Sequence, residues 1–171
     1  MIVINLYGGP GAGKSTTRAL LFAEMKKAGL NVEEVTEYAK DMVWEERSNI
    51  FTDQLYILAK QNRRLLRLVG KVDYVITDSP LMLNSIYLTD GPYSAKLDEL
   101  ITEVSDSYSN INIYLKRAHE YQPLGRNQTE EEAKDIDNQI LDLLSKCKGN
   151  WWWFNTSEFN LEKLREIIAI D

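Results

Sequence analysis

The run Gly8-Gly9-Pro10-Gly11-Ala12-Gly13-Lys14-Ser15-Thr16 constrains the fold more than any other stretch of the chain. Before it, Ile2-Val3-Ile4-Asn5-Leu6-Tyr7 is short, apolar and rich in β-branched residues, which predicts a buried strand. After it, Arg18 to Ala28 carries no glycine or proline and predicts a helix closed by Gly29. A strand, a glycine loop spaced Gly-x4-Gly-Lys-Ser and a helix make a phosphate-binding P-loop. Its glycines let backbone N–H groups turn toward a polyphosphate with no Cβ in the way. The helix N-terminus adds further donors and the positive end of its dipole. Lys14 is expected to reach the β- and γ-phosphates of ATP, and the Ser15 hydroxyl to hold Mg²⁺.

The bulk properties narrow the class around that motif. A chain of 171 residues, 44% hydrophobic and 27% charged, suits one soluble globular domain with a substantial core. The single cysteine, Cys147, excludes a disulfide framework and a cysteine-based zinc site, and the single histidine, His119, excludes a two-histidine metal site. No signal peptide opens the sequence and no apolar run approaches membrane-spanning length, so a cytoplasmic protein with no membrane partner is expected. A net charge of −6 argues against indiscriminate DNA coating but leaves room for a local basic groove.

Strands and helices alternate along the rest of the chain. Asn31–Thr36 predicts a second strand ending at Glu37, with a helix over Tyr38–Trp44. A long helix is expected from Phe51 to Val69, with Phe51, Leu55, Leu58, Leu65, Leu66 and Val69 as its apolar face. A second stripe, Gln54, Ile57, Gln61 and Arg64, runs beside that face, and Lys60, Arg63, Arg64, Arg67 and Lys71 make this the most basic region. Val72–Thr77 predicts a third strand closing on Asp78-Ser79-Pro80, the position from which a P-loop protein holds Mg²⁺ or its water. Helical segments are expected over Leu81–Leu88 and Ala95–Tyr108, then a fourth strand over Asn110–Leu115 ending in Lys116-Arg117. Ala118–Asn127, with Pro123 and Gly125, reads as a loop. Thr129 and Glu132 form a capping box opening a helix to about Lys146. Trp151–Asn155 predicts a fifth strand, apolar on both faces and set in the core. A last helix is capped by Asn160, with a Phe159–Leu164 staple.

This alternation predicts an α/β domain: a five-stranded parallel sheet with helices on both faces and ligands bound beyond the carboxyl ends of the strands. Glu37, Asp78 and Lys116-Arg117 close those strands and would meet the P-loop on one edge. The absence of an Asn-Lys-x-Asp motif lowers a GTPase reading. A kinase needs an in-line acceptor hydroxyl, a carboxylate to take its proton and cations on the transferring phosphate. Glu37 and Asp78 are the carboxylates available, and Arg117 and Arg126 the cations.

On these motifs the chain resembles the nucleoside and nucleotide kinase group of P-loop proteins, which includes thymidylate, deoxynucleoside and nicotinamide riboside kinases. The motifs are the P-loop, Glu37-Tyr38-Ala39, Asp78-Ser79-Pro80 and the arginine-bearing loop. The resemblance implies a lid of about Arg117–Asn127 closing over ATP, with Arg117 and Arg126 on the phosphates. It implies Glu37 as the base, while the residues alone leave Asp78 either at Mg²⁺ with Ser15 or as the base. Gln54, Gln61 and Arg64 would face the acceptor, and Asn155-Thr156-Ser157 would lie near the adenine. Where deoxynucleoside and thymidylate kinases commonly carry Asp-Arg, this chain has Asp78-Ser79, which leaves open the cation that meets the acceptor. The compact layout also resembles bacteriophage kinases that phosphorylate 5-hydroxymethyluracil within DNA. By that likeness the acceptor would be a flipped base, with the basic helix face along the strand backbone.

Two other readings stand beside this one: a kinase of a free nucleoside, nucleotide or riboside, and a nucleotide-dependent switch or ATPase module with no acceptor. Any reading with phosphoryl transfer requires Lys14. Lys14→Ala is expected to lower turnover on the order of 10³-fold, read as phosphate released or transferred from ATP.

Overall fold

A computed structural model describes residues 1–91, 93–118 and 129–168. Five parallel strands, β1 (Ile2–Tyr7), β2 (Val32–Val35), β3 (Tyr74–Thr77), β4 (Ser109–Lys116) and β5 (Trp151–Asn155), form one sheet in the order β2-β3-β1-β4-β5. The helices are α1 (Lys14–Lys27), α2 (Tyr38–Trp44), α3 (Gln54–Leu66), α4 (Ser94–Asp106), α5 (Glu130–Lys146) and α6 (Leu161–Ile167). Two 3₁₀ helices, Ser48–Thr52 and Leu81–Tyr87, complete the described elements. The α/β architecture expected from the sequence is the one observed.

Strand alternation divides the core into two layers. Val3 and Tyr7 of β1, Val75 of β3 and Tyr114 of β4 pack with Leu58 and Leu65 of α3, Ile101 of α4, and Ile140 and Leu144 of α5. On the other face Ile4, Leu6, Ile76, Ile111, Ile113 and Leu115 meet Leu21 and Met25 of α1 and Leu161 and Leu164 of α6. One polar cluster interrupts the first layer. Asn5 donates to Asn110 Oδ1 at 2.9 Å and to Asn112 Oδ1 at 3.0 Å, so the buried amides of Asn5 and Asn112 are paired to each other and to the partly buried Asn110.

Local capping sets the helix starts. Thr129 Oγ1 accepts from the Glu132 N–H, and the Glu132 carboxylate accepts from the Thr129 N–H at 2.6 Å, the expected capping box. Asn160 Oδ1 accepts from the Lys163 N–H at 3.1 Å at the start of α6.

Four expectations are corrected. Helix α1 begins at Lys14 rather than Arg18, because Gly13 takes the left-handed conformation and turns the loop directly into the helix. Helix α3 spans Gln54–Leu66 rather than Phe51–Val69. The Asp53 carboxylate caps it by accepting from the Tyr56 N–H at 3.0 Å, which leaves Phe51 in the preceding 3₁₀ helix. The face that α3 buries is Gln54, Ile57, Leu58, Gln61 and Leu65, whereas Leu55, Leu66 and Val69 are about half exposed. The two glutamines are tolerated inside because their amides find partners, described below. The tryptophan strand is also less buried than expected: β5 lies at the sheet edge, and Trp153 is 61% exposed.

The corrected face of α3 is testable by paired truncations. Leu65→Ala, at a site 1% exposed, should cost about 2–5 kcal/mol of unfolding free energy through the cavity it leaves. Leu66→Ala, at a site 51% exposed, should stay within about 0.5 kcal/mol of the parent. Urea unfolding midpoints at one pH distinguish the two.

Candidate functional site

The strand order decides which groups meet. All five strands run parallel, so the segments leaving their carboxyl ends emerge on one edge of the sheet. The central strand β1 delivers the P-loop. Its neighbour β3 delivers Asp78, β2 beyond that delivers Glu37, and β4 on the other side delivers Lys116 and Arg117.

The loop itself is shaped by two glycines in particular. Gly8 has φ 145°, and a Cβ there would lie 2.8 Å from Ala12 Cβ and 2.9 Å from the Leu115 carbonyl oxygen. Gly13, at φ 86°, is the N-cap of α1 and contributes no side-chain cap, so the first-turn N–H groups face the loop without a side-chain acceptor from their own N-cap. Lys14 folds back over the loop, its ammonium donating to the carbonyls of Gly8 and Gly9. Pro10, Gly11 and Ala12 form the turn between, closed by the Ala12 N–H donating to the Gly9 carbonyl at 3.1 Å. Thr16, the last residue of the motif, is exposed on α1.

Two residues from distant parts of the chain brace this loop. The Thr156 hydroxyl lies 2.6 Å from the Ala12 carbonyl oxygen and 2.9 Å from that of Lys116, tying the P-loop to the ends of β4 and β5. Asp137 of α5 accepts from the Gly9 N–H at 2.6 Å on one carboxylate oxygen and from Arg117 at 2.9 Å on the other. The same carboxylate lies against Tyr114, whose hydroxyl is pushed up to about 12 by burial and by that negative charge.

Asp78 is 2% exposed and sits between two side chains of α1. The Ser15 hydroxyl donates to its Oδ2 at 2.6 Å, and Arg18 donates to its Oδ1 at 2.9 Å. Arg18 also forms an ion pair with Glu34 of β2 at 3.0 Å. The cation beside Asp78 is therefore Arg18, supplied by the P-loop helix. Ser15 Oγ and the Asp78 carboxylate are adjacent hard oxygen donors, and their chemistry suits Mg²⁺. Among the described residues no cluster of three or more acidic, histidine or cysteine side chains forms a separate metal cage.

Glu37 stands at the N-cap position of α2, yet its carboxylate makes no capping bond. Burial pushes its carboxyl above the usual carboxylate range, and the negative charge of Asp78 adds to the rise while Lys14 opposes it. The ammonium of Lys14 and the carboxylates of Glu37 and Asp78 thus act on one another across the strand ends. Tyr87 lies close enough for its hydroxyl to be pushed up to about 12, by burial first and by the charge of Glu37 second.

Other residues proposed from the sequence are placed differently. Gln54 turns back and donates to the Phe51 carbonyl at 2.8 Å. Gln61 and Arg64 reach toward the end of β2 and bond the backbone around Glu37, so their polar groups are engaged within the fold. Arg117 points to Asp137 beside the P-loop. Arg126, His119 and the loop from residue 119 to residue 127 lie outside the described residues. Sequence reading missed Arg18, Glu34, Tyr87 and Asp137. Arg18 had a signal, since three residues after Ser15 is one turn along the same helix face. Asp137 had none, because only the packing of α5 on the P-loop brings it to Gly9.

Residues 3–156 match the family described as AAA domain. The chain belongs to that family. The matched AAA domain takes in the P-loop, Glu37, Asp78 and Arg117, and extends to Thr156. Among solved structures, that of deoxyadenosine kinase from M. mycoides with bound dATP shares the fold, with a TM-score of 0.55 and 17% identity over 97% of this chain and 96% of that one. No curated protein matches the sequence. No helix among the described residues of the AAA domain is long and apolar enough to cross a membrane.

The raised Glu37 carboxyl has a signed consequence for stability. The folded state holds this proton more tightly than the unfolded chain. Stability attributable to Glu37 is therefore lost as pH rises from the ordinary carboxylate value through the raised one. Glu37→Gln should be more stable than the parent at neutral pH, with the difference shrinking as pH falls toward 4, measured by urea midpoints across that range.

Proposed function

We propose that this AAA-domain chain is an ATP-dependent kinase that phosphorylates a hydroxyl of a nucleoside-like acceptor. The observation that carries the reading is an uncapped, half-buried carboxylate of raised proton affinity, Glu37, set within electrostatic reach of the P-loop lysine and of Asp78. A pure binding site needs no such base. The fold shared with a deoxyadenosine kinase supports the same chemistry.

In the proposed reaction the P-loop N–H groups and Lys14 hold the polyphosphate of ATP. The acceptor hydroxyl gives its proton to Glu37 as its oxygen forms a bond to the γ-phosphorus. The bond from that phosphorus to the bridging oxygen breaks, and ADP leaves with the electron pair. Ser15 and Asp78 would hold Mg²⁺, which when bound offsets phosphate charge. Arg18 keeps Asp78 in place for that task, and Arg117 and Arg126 are the proposed lid cations.

Two acceptor classes fit. A free nucleoside, nucleotide or riboside is favoured by the fold likeness. The hydroxymethyl group of 5-hydroxymethyluracil in DNA, as in a bacteriophage hypermodification step, is favoured by the exposed basic residues Lys60, Arg63, Arg67 and Lys71 along and after α3. Incubation with γ-labelled ATP, Mg²⁺ and each acceptor class separates them by whether label appears on a small molecule or on polymer. Glu37→Gln should lower transfer about 10²–10⁴-fold while nucleotide binding persists. The parent's acid limb should lie above the ordinary carboxylate range, since activity needs the ionised form and falls as pH drops through the raised value. Nucleotide binding with transfer to none of these acceptors would instead support a switch or ATPase module.

A further inference from the structure

The turn that carries Glu37 is held from outside by α3. We infer that Gln61 and Arg64 are positioning residues that fix the Thr36–Glu37–Tyr38 turn, and through it the Glu37 carboxylate, against the P-loop. This rests on the reading of Glu37 as the base.

Where the chain leaves β2 and enters α2, its peptide groups have neither strand nor helix partners. The Tyr38 N–H opens α2 and has no intrahelical acceptor, and the Thr36 carbonyl lies past the last β2 residue. Gln61 serves both. Its Oε1 accepts from the Tyr38 N–H at 2.9 Å, and its Nε2 donates to the Thr36 carbonyl at 3.2 Å. One side-chain amide therefore brackets the single residue between them, which is Glu37. Arg64, three residues further along α3, donates to the same carbonyl at 3.0 Å and to Thr36 Oγ1 at 2.8 Å. Its other terminal nitrogen pairs with Asp41 of α2, and the guanidinium lies 5.4 Å from the centre of the Tyr38 ring. The turn is thus tied on both sides of Glu37 to a helix anchored in the core by Leu58 and Leu65.

Gln61 is 1% exposed, so its amide is committed to the turn rather than presented to an acceptor. The side chain of Glu37, by contrast, spends nothing on capping α2. Holding the backbone by neighbours leaves the carboxylate free for chemistry, and a reacting group displaced by about 1 Å can cost about 10²-fold in rate. The charged and titratable groups facing Glu37 are Lys14 from α1, Asp78 at the end of β3, Lys40 and Asp41 on α2, and Tyr87 on the 3₁₀ helix. Gln61→Met changes none of these charges, so any movement of the Glu37 titration in that variant reports position.

The test pairs kinetics with a ¹³C NMR titration of the Glu37 carboxyl in the full chain. Gln61→Met should lower kcat about 10²-fold with KM for ATP unchanged, and should move the Glu37 titration down toward the ordinary carboxylate value as the turn loosens into water. Arg64→Lys keeps the charge but loses the fork, and should move both readouts in the same directions by less. Ile101→Ala, in the core on α4, serves as the stability control and should move neither below its unfolding temperature. A folded Gln61→Met with parental kcat and an unmoved titration would overturn the inference. If Gln61→Met does not fold, an Arg64→Lys that moves neither readout overturns it equally. Should the parent transfer phosphate to no acceptor, the kinase reading fails, while the titration still decides whether α3 positions Glu37.

Discussion

A carboxylate buried between two strands and a helix sets the geometry on which the rest of the site depends. Asp78 leaves β3 beside the central strand and is almost wholly out of water, so it requires partners of opposite or hydrogen-bonding character. Ser15 and Arg18 provide them, and both come from α1 at a spacing of one helical turn. Breaking such a buried pair by removing one partner costs about 3–5 kcal/mol, so α1 has one rotation about its axis that the core will accept. Lys14 precedes Ser15 by one residue, and its direction follows from that rotation. The ion pair from Arg18 to Glu34 extends the same constraint to β2.

On the opposite flank the loop is fixed by contacts to its backbone. Thr156 bonds the Ala12 carbonyl, and Asp137 accepts the Gly9 N–H while pairing with Arg117. A glycine is required at position 13 by its left-handed φ, and a Cβ there would come 2.5 Å from Thr156 Cγ2. The P-loop is therefore clasped from β3 through side-chain charge and from β5 and α5 through main-chain hydrogen bonds. Arg117, the proposed lid cation at the end of β4, is joined to this clasp through Asp137.

The sheet, the P-loop and the residues that close the strands were legible because each is encoded locally. β1 and the P-loop follow one another without interruption, and Asp78 directly follows the apolar run of β3. The face of α3 was misread for a physical reason. Hydrophobic spacing assigned Leu55, Leu66 and Val69 to the core, but the helix lies against the end of β2, where Gln61 satisfies peptide groups that a leucine would leave unpaired. Polarity at a buried position is invisible to periodicity when its partner is a backbone turn more than twenty residues away. Asp137 illustrates the same limit, since it reaches Gly9 across a sequence separation of 128 residues.

This difference separates the two halves of the proposed site. The proposed donor half consists of consecutive residues that would bind through their backbone, so its geometry is carried by a short motif. The acceptor half is assembled from α2, α3 and the 3₁₀ helix after β3, and its geometry depends on side chains that meet only after packing. Glu37 belongs to both: the strand order brings it to the P-loop edge, and α3 fixes its turn. Changes in α3 that leave the P-loop untouched can therefore shift the proposed base relative to the phosphate. On this fold the proposed acceptor preference can diverge between chains while the proposed nucleotide cradle stays the same.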